Sequence, residues 1–176
     1  MIHESFYWKE PLLEMARRLT ALTIKQDLSE DQFAQIERDI FIGFYSVRRL
    51  FEAHEKITDK TRSKKIKLRW HSNCEVVTRH NRHRIDELYD LKNSQEETRD
   101  IFFVCHRIIH SYIFTPYFDK NGFSGILFTS DIDKDKKLYL LNAEEIIRIF
   151  EIVGNDYPHK IEWKRDDKGN ESLTVD

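Results

Sequence analysis

The sequence predicts an α+β fold in which N-terminal helices and a central helix pack with a mostly antiparallel β-meander and a C-terminal hairpin. Three observations carry this. Apolar residues recur every three or four positions through much of the first half of the chain. The period switches to two at KKIKLRW, residues 64–70. Beyond Pro116, short aromatic and β-branched runs alternate with Asp- and Gly-containing turns. The 176 residues, 40% of them hydrophobic, suffice for one well-filled core but not two. The chain therefore reads as a single α+β domain over 1–176. Residues 1–115 are mainly helical with one basic strand, and 116–176 mainly β with one helix.

Glu10-Pro11 can open the first helix, because proline fits the first turn. Leu12, Leu13, Met15, Ala16, Leu19 and Leu22 then keep helical spacing to about Lys25. Ser29 with Gln32 reads as a capping box. It leads a long amphipathic helix through Phe33, Ile36, Ile40, Phe44, Val47 and Phe51 to about His54, and the two helices are expected to pair antiparallel. In 64–70, Ile66, Leu68 and Trp70 alternate with Lys65, Lys67 and Arg69, which gives a strand with one basic side. HSNCEVVTRHNRHR, 71–84, carries no periodicity from which to assign structure, and IDELYDL, 85–91, reads as a short helix or turn.

Ser94 and Glu97 suggest a second capping box. It would begin an apolar helix through Ile101, Phe102, Val104, Cys105, Ile108, Ile109 and Tyr112 that stops before Pro116. YIFTPYF, the turn DKNG, FSGILFTS, the charged turn DIDKDKK and LYLL read as a three-stranded meander. Asn142 with Glu145 suggests a cap for a helix through Val153, ended by Gly154. KIEWKR and ESLTV flank DDKGN as a last hairpin.

Several function classes are disfavoured. No run of 18 apolar residues exists to span a membrane. MIHESFYWKE lacks the basic and apolar regions of a secretory leader. With Cys74 and Cys105 the only cysteines, a cytoplasmic setting with free thiols is expected. GxxxxGK[ST], GxGxxG, GxSxG and HExxH are absent. Asp131, Asp133 and Asp135 alternate as in a calcium loop, but the central glycine and the glutamate at position twelve are missing, so a charged turn is expected. No cofactor is called for.

The net charge of -2 conceals an asymmetry. Between Lys56 and Arg84 ten lysines and arginines face only Asp59 and Glu75, and both flanks are acidic. Lys64, Lys65, Lys67, Arg69, Arg79, Arg82 and Arg84 are candidates to follow a phosphate backbone, with affinity that falls as salt rises. Trp70, His71 and Tyr89 would stack bases if exposed. The other reading is that these cations balance the acidic flanks within the fold, or protect an edge strand from aggregation.

CHRIIHSYIF, 105–114, places His106 and His110 one helical turn apart. Cys105 with these histidines, or His71, Cys74, His80 and His83, offer zinc ligand types, but the spacing matches no common zinc module, so no metal is expected. Arg99, His106 and His110 would share one stripe of a helix, with Arg107 about 100° away from His106. Histidine, with an ordinary pKa of about 6.5, suits acid–base work, and a guanidinium beside it suits phosphate. Tyr112 would be a stacking surface or a core aromatic.

The stretch resembles a motif of the HEPN proteins, helical bundles many of which are metal-independent ribonucleases. One toxin branch of that family carries Arg-x4-His-x-Tyr near a helix end, and here Cys105, His110 and Tyr112 stand at those places, with Cys105 replacing the arginine. The likeness covers about one helix. It implies RNA as substrate or partner, a toxin or phage-defence setting, and a homodimer with a composite site. In that enzyme His110 would be the acid/base, His106 its polar partner, and Arg99 or Arg107 the phosphate holder. A looser pattern, Arg followed by His after four to six residues, also joins Arg48 and Arg49 to His54 and Arg99 to His106, although chance produces such matches about as often. The rivals are a non-catalytic nucleic-acid-binding module using the basic 60–84 region, and a protein-interaction subunit whose histidines only satisfy hydrogen bonds.

Overall fold

The computed structural model describes residues 2–25, 27–166 and 168–176. Helices α1 (Phe6–Leu22) and α2 (Glu30–Glu52) bury the stripes read from their periodicity, including Leu12 and Leu19 on one and Ile40, Phe44 and Val47 on the other. They run antiparallel. Trp8 lies 6.5 Å from Tyr45 between ring centroids, and further along Arg18 grips Asp39 with two hydrogen bonds of 2.9 Å. Ser29 and Gln32 form the expected capping box. The start of α1 differs from the expectation, since it begins at Phe6 and places Pro11 inside the helix. Pro11 has no amide to close onto the carbonyl of Tyr7, and its ring crowds that carbonyl.

A single 3-10 turn at His54–Lys56 and the short α3 (Asp59–Arg62) lead into β1 (Lys65–Ser72). As its alternation requires, Ile66 and Leu68 are buried while Lys65, Lys67 and Arg69 are exposed. Residues 73–84 form a loop closed by α4 (Ile85–Leu88) and a bridge between Asn73 and Tyr89.

The largest departure from the sequence reading lies between 94 and 112. Ser94 does not cap a long helix. Residues Gln95–Asp100 form β2, antiparallel to β1, with Arg69 opposite Glu96 and Lys65 opposite Asp100. Cross-strand charge complementarity outweighs the helical propensity of QEETRD. The helix, α5, spans only Ile101–Ile109 and is capped by Asp100, whose Oδ1 accepts the Phe103 N–H at 2.7 Å.

β3 (Ser111–Asp119), β4 (Gly122–Ser130) and β5 (Lys137–Asn142) make the expected meander. β1 joins it beside β5, completing an antiparallel sheet in the order β2-β1-β5-β4-β3. Thus β1 is internal, and β2 and β3 are the edges. Helix α6 (Ala143–Gly154) follows, with Asn142 at its N-cap position. Its capping box does not form: Asn142 Oδ1 accepts from Arg69 Nη2 at 2.8 Å, and Glu145 pairs with Arg148. β6 (Ile161–Arg165) and β7 (Glu171–Val175) make the terminal hairpin, tied to α3 where the Val175 N–H donates to Asp59 Oδ2 at 3.0 Å.

The chain is an α+β protein with one main core. α1, α2, α5 and α6 cover one face of the sheet, enclosing Phe44, Phe128, Tyr139 and Phe150 with Ile66 and Leu68. On the other face the 73–91 segment seals a smaller cluster of Val77, Leu88, Tyr89, Ile113 and Leu138. Among the described residues no helix is long and apolar enough to cross a membrane.

Candidate nucleic-acid interface

α5 sorts its side chains by the helical period. Ile101, Val104, Cys105 and Ile108 face the core, while Phe102, His106 and His110, each four residues on, follow the outer face. His110 is the C-cap and is exposed; His106 is partly buried. Their ring centroids lie 4.7 Å apart at 58°.

The cation beside them comes from α2. Arg48 Nη1 stands 3.4 Å from His110 Nε2, while Arg48 Nε donates to Glu52 Oε1 at 3.0 Å and its guanidinium carbon lies 5.8 Å from the Phe102 ring centroid. Arginine carries only donors, so a hydrogen bond across this contact requires Nε2 as the acceptor. His106 is held below the ordinary histidine range, first by burial and then by His110, Arg107 and Arg48, all of which disfavour a further positive charge.

No family model, curated protein or solved structure matches this chain.

The residues expected to share a stripe with the histidines do not all do so. Arg99 sits on β2, pairs with Glu97 at 2.8 Å and lies 4.7 Å over the Phe103 ring. The stripe of Arg99, His106 and His110 would need a continuous helix, which β2 interrupts. Arg107 is on α5 but is drawn to Asp133, Nε to Oδ2 at 2.6 Å, and also lies 4.7 Å over Phe103. Neither guanidinium is free beside the imidazoles.

Cys105, at the place where the motif has arginine, is fully buried, and burial pushes its thiol far above the ordinary range. Tyr112 lies on β3, not on the helix, at a register shift between Ser111 and Ile113. It is half-buried against the smaller core, with Lys134 Nζ 4.5 Å and the Arg82 guanidinium 5.8 Å from its ring centroid.

The basic region divides in two. On β1 the cations are largely matched: Lys65 pairs with Asp100 at 3.4 Å, and Arg69 sits opposite Glu96 and donates to Asn142. Lys67 alone of the three has no ion pair or hydrogen-bonded side-chain partner among the described residues. Lys64 lies off the strand, lining a separate depression with Thr61, Asp156 and Tyr157.

The 78–84 loop is different. A turn fixed by Thr78 N–H to Asn81 Oδ1, 2.7 Å, exposes Arg79, His80, Arg82, His83 and Arg84. Among the described residues only Arg84 of its arginines has an ion pair, with Glu87 at 3.5 Å. Arg82 and His83 share a depression of about 460 Å³ with Ser111 and Tyr112. The loop and the residues following His110 thus meet.

The proposed base-stacking trio is not available. His71 is buried with Nδ1 against the carbonyls of Asp90 and Asn93, Tyr89 is buried and donates to the Lys134 carbonyl at 2.6 Å, and Trp70 packs on the main core beneath Lys137. Among the described residues no group of three or more His, Cys, Asp or Glu side chains is arranged to hold a metal ion.

Sequence reasoning missed Arg48 and Phe102 as members of the site. Phe102 was legible as the residue four before His106. Arg48 matched the loose pattern only with His54, and nothing local pairs it with His110.

Proposed function

We propose that the protein acts on RNA, as a metal-independent ribonuclease whose working groups are His110, His106 and Arg48. The observation that carries this is the meeting of Arg48 with His110 beside His106 on an accessible surface. It offers the guanidinium that the HEPN-like motif lacks at Cys105, from a different helix. Arg48 replaces Arg99 and Arg107 in the role of phosphate holder: all three pair with a carboxylate, Arg48 with Glu52, but only Arg48 also reaches His110.

In this reading a phosphodiester draws the Arg48 guanidinium away from His110 Nε2. That exposes a lone pair to take the proton of the ribose 2′-hydroxyl as its oxygen attacks phosphorus; the bond from phosphorus to the 5′-oxygen breaks, a 2′,3′-cyclic phosphate forms, and the departing 5′-oxygen takes a proton from water. Arg48 carries the charge gathering on the phosphate oxygens. His106, whose affinity for a proton is lowered by burial and by its charged neighbours, disfavours a second imidazolium beside His110. A composite site across a homodimer remains part of this reading.

The second reading is a non-catalytic RNA-binding module. Arg79 and Arg82 on the loop favour it, because their charge is not matched as the β1 charge is.

The test is incubation of purified protein with labelled RNA, with and without EDTA. Cleavage that survives chelation and is lost in His110→Ala and Arg48→Ala supports the ribonuclease. Salt-sensitive binding without cleavage, weakened by Arg79→Glu and Arg82→Glu, supports the module. Neither cleavage nor binding leaves the protein-interaction subunit.

A further inference from the structure

We propose that the cavity beside Phe102 is a subsite for single-stranded RNA, taking the base and phosphate of a nucleotide next to the one at the histidines. The proposal rests on the RNA reading above and specifies the form of its substrate. The cavity is about 520 Å³ and is walled by Phe51 and Phe102, with Arg62 and Lys65 as its cations and His54 in its lining. That volume is in the range of ligand pockets.

Its two acids are already engaged. Glu52 is held by both Arg48 and Arg49, and Asp100 caps α5 while pairing with Lys65. Arg62 is the opposite case. Its Nη1 donates to the Phe51 carbonyl, but Nε and Nη2 are buried with no hydrogen-bond partner among the described residues. Buried guanidinium nitrogens without an acceptor are costly, and a phosphate oxygen entering the cavity is an acceptor of the right charge.

Phe102 supplies the surface for a base. It is 40% exposed at the rim of the cavity, so part of the ring is accessible for stacking. It stands one turn before His106 and two before His110, about 6 Å of helix rise per step. Beyond His110 the chain runs directly into the Tyr112 depression with Arg82 and His83. The histidines thus lie between two sites that each combine an aromatic ring with cations. Such alternation suits a strand whose bases are free to stack, whereas a duplex hides its base faces.

The experiment measures binding of a fluorescein-labelled RNA decanucleotide, single-stranded or annealed to its complement, in the His110→Ala background so that the probe stays intact. Phe102→Ala should weaken single-strand binding about 5- to 100-fold without changing circular dichroism or thermal midpoint, and leave duplex binding unchanged. Lys65 must leave Asp100 to meet the phosphate, so Lys65→Ala should lower the slope of log affinity against log salt by about 0.7 at most. Unchanged single-strand affinity and salt slope in both variants would overturn the subsite, even if the wild type cleaves RNA. Weakened binding in Phe102→Ala with no cleavage by the wild type would keep the subsite and sink the ribonuclease. Absence of any RNA binding by the folded protein overturns both.

Discussion

Arg48 and His110 lie 62 positions apart in sequence, yet the guanidinium Nη1 stands 3.4 Å from the imidazole Nε2. Packing of α2 against α5 creates this contact. If Arg48 holds the scissile phosphate, Arg48→Ala lowers the cleavage rate about 10²- to 10³-fold, the cost of removing one transition-state donor. Arg48→Lys recovers only part of it, because a point charge cannot reproduce the planar fork. Single-turnover rates on a fixed RNA check both. Equal rates in all three proteins would remove Arg48 from the chemistry.

The pH dependence follows from His106. Its pKa is lowered by burial, then by His110, Arg107 and Arg48, so it stays neutral further into acid than a free histidine. The requirement for a neutral His106 therefore costs rate only below about 6.5, separately from the loss when the general base His110 is protonated. Stability runs the same way. The unfolded chain binds this proton first, so through this group the fold loses stability as pH drops below about 6.5. In Arg48→Ala, one of the lowering charges is gone, and the His106 titration followed by NMR moves upward. A downward or absent movement contradicts the assigned cause.

Lys9 provides a stability test away from the site. It is fully buried, with Nζ donating to the carbonyls of Lys56, at 2.7 Å, and Asp156, and lying 4.4 Å over the Tyr157 ring. Burial lowers its pKa from 10.5 to about 8, partly offset by Asp156. Because the unfolded chain keeps the proton up to about 10.4, stability through Lys9 rises between about pH 8 and that value. The size is about 3 kcal/mol at most. Urea midpoints of the wild type should climb relative to Lys9→Met from pH 7 to pH 10. Parallel curves would show that Lys9 is not titrating as described.

Cys105 is predicted to be silent in the native protein. It is fully buried with its thiol pushed up by burial, whereas Cys74 is exposed. A colorimetric thiol reagent should titrate one thiol per folded chain and two after denaturation. Restoring the motif with Cys105→Arg would bury an unpaired charge among Val104, Ile108 and their neighbours. The expected result is an insoluble or unfolded protein and not a more active one. A folded, active variant would refute this placement of residue 105.

Much of the fold was legible because it depends on local rules. The capping box at Ser29, the stripe of α2, the alternation in β1, the meander and the last hairpin all follow from periodicity and turn chemistry within a few residues. The misreading of 94–100 has a physical cause. Ser94 and Glu97 have the spacing of a cap, and QEETRD has helix-forming residues. Only the neighbouring basic strand, nearly thirty residues earlier, offers the opposing charges that make it β2.

The site divides along the same line. From its own order of residues the chain determined that His106 and His110 share a helical face with Phe102, that Cys105 turns inward, and that the 78–84 loop is rich in cations. Tertiary structure alone decided which charges are spent and which remain. It matched Lys65 and Arg69 with β2, bound Arg107 to Asp133, and delivered Arg48 to His110. The reason is range. Helical and strand periods are set by neighbouring residues, whereas an ion pair between distant segments exists only after the core has brought their backbones together.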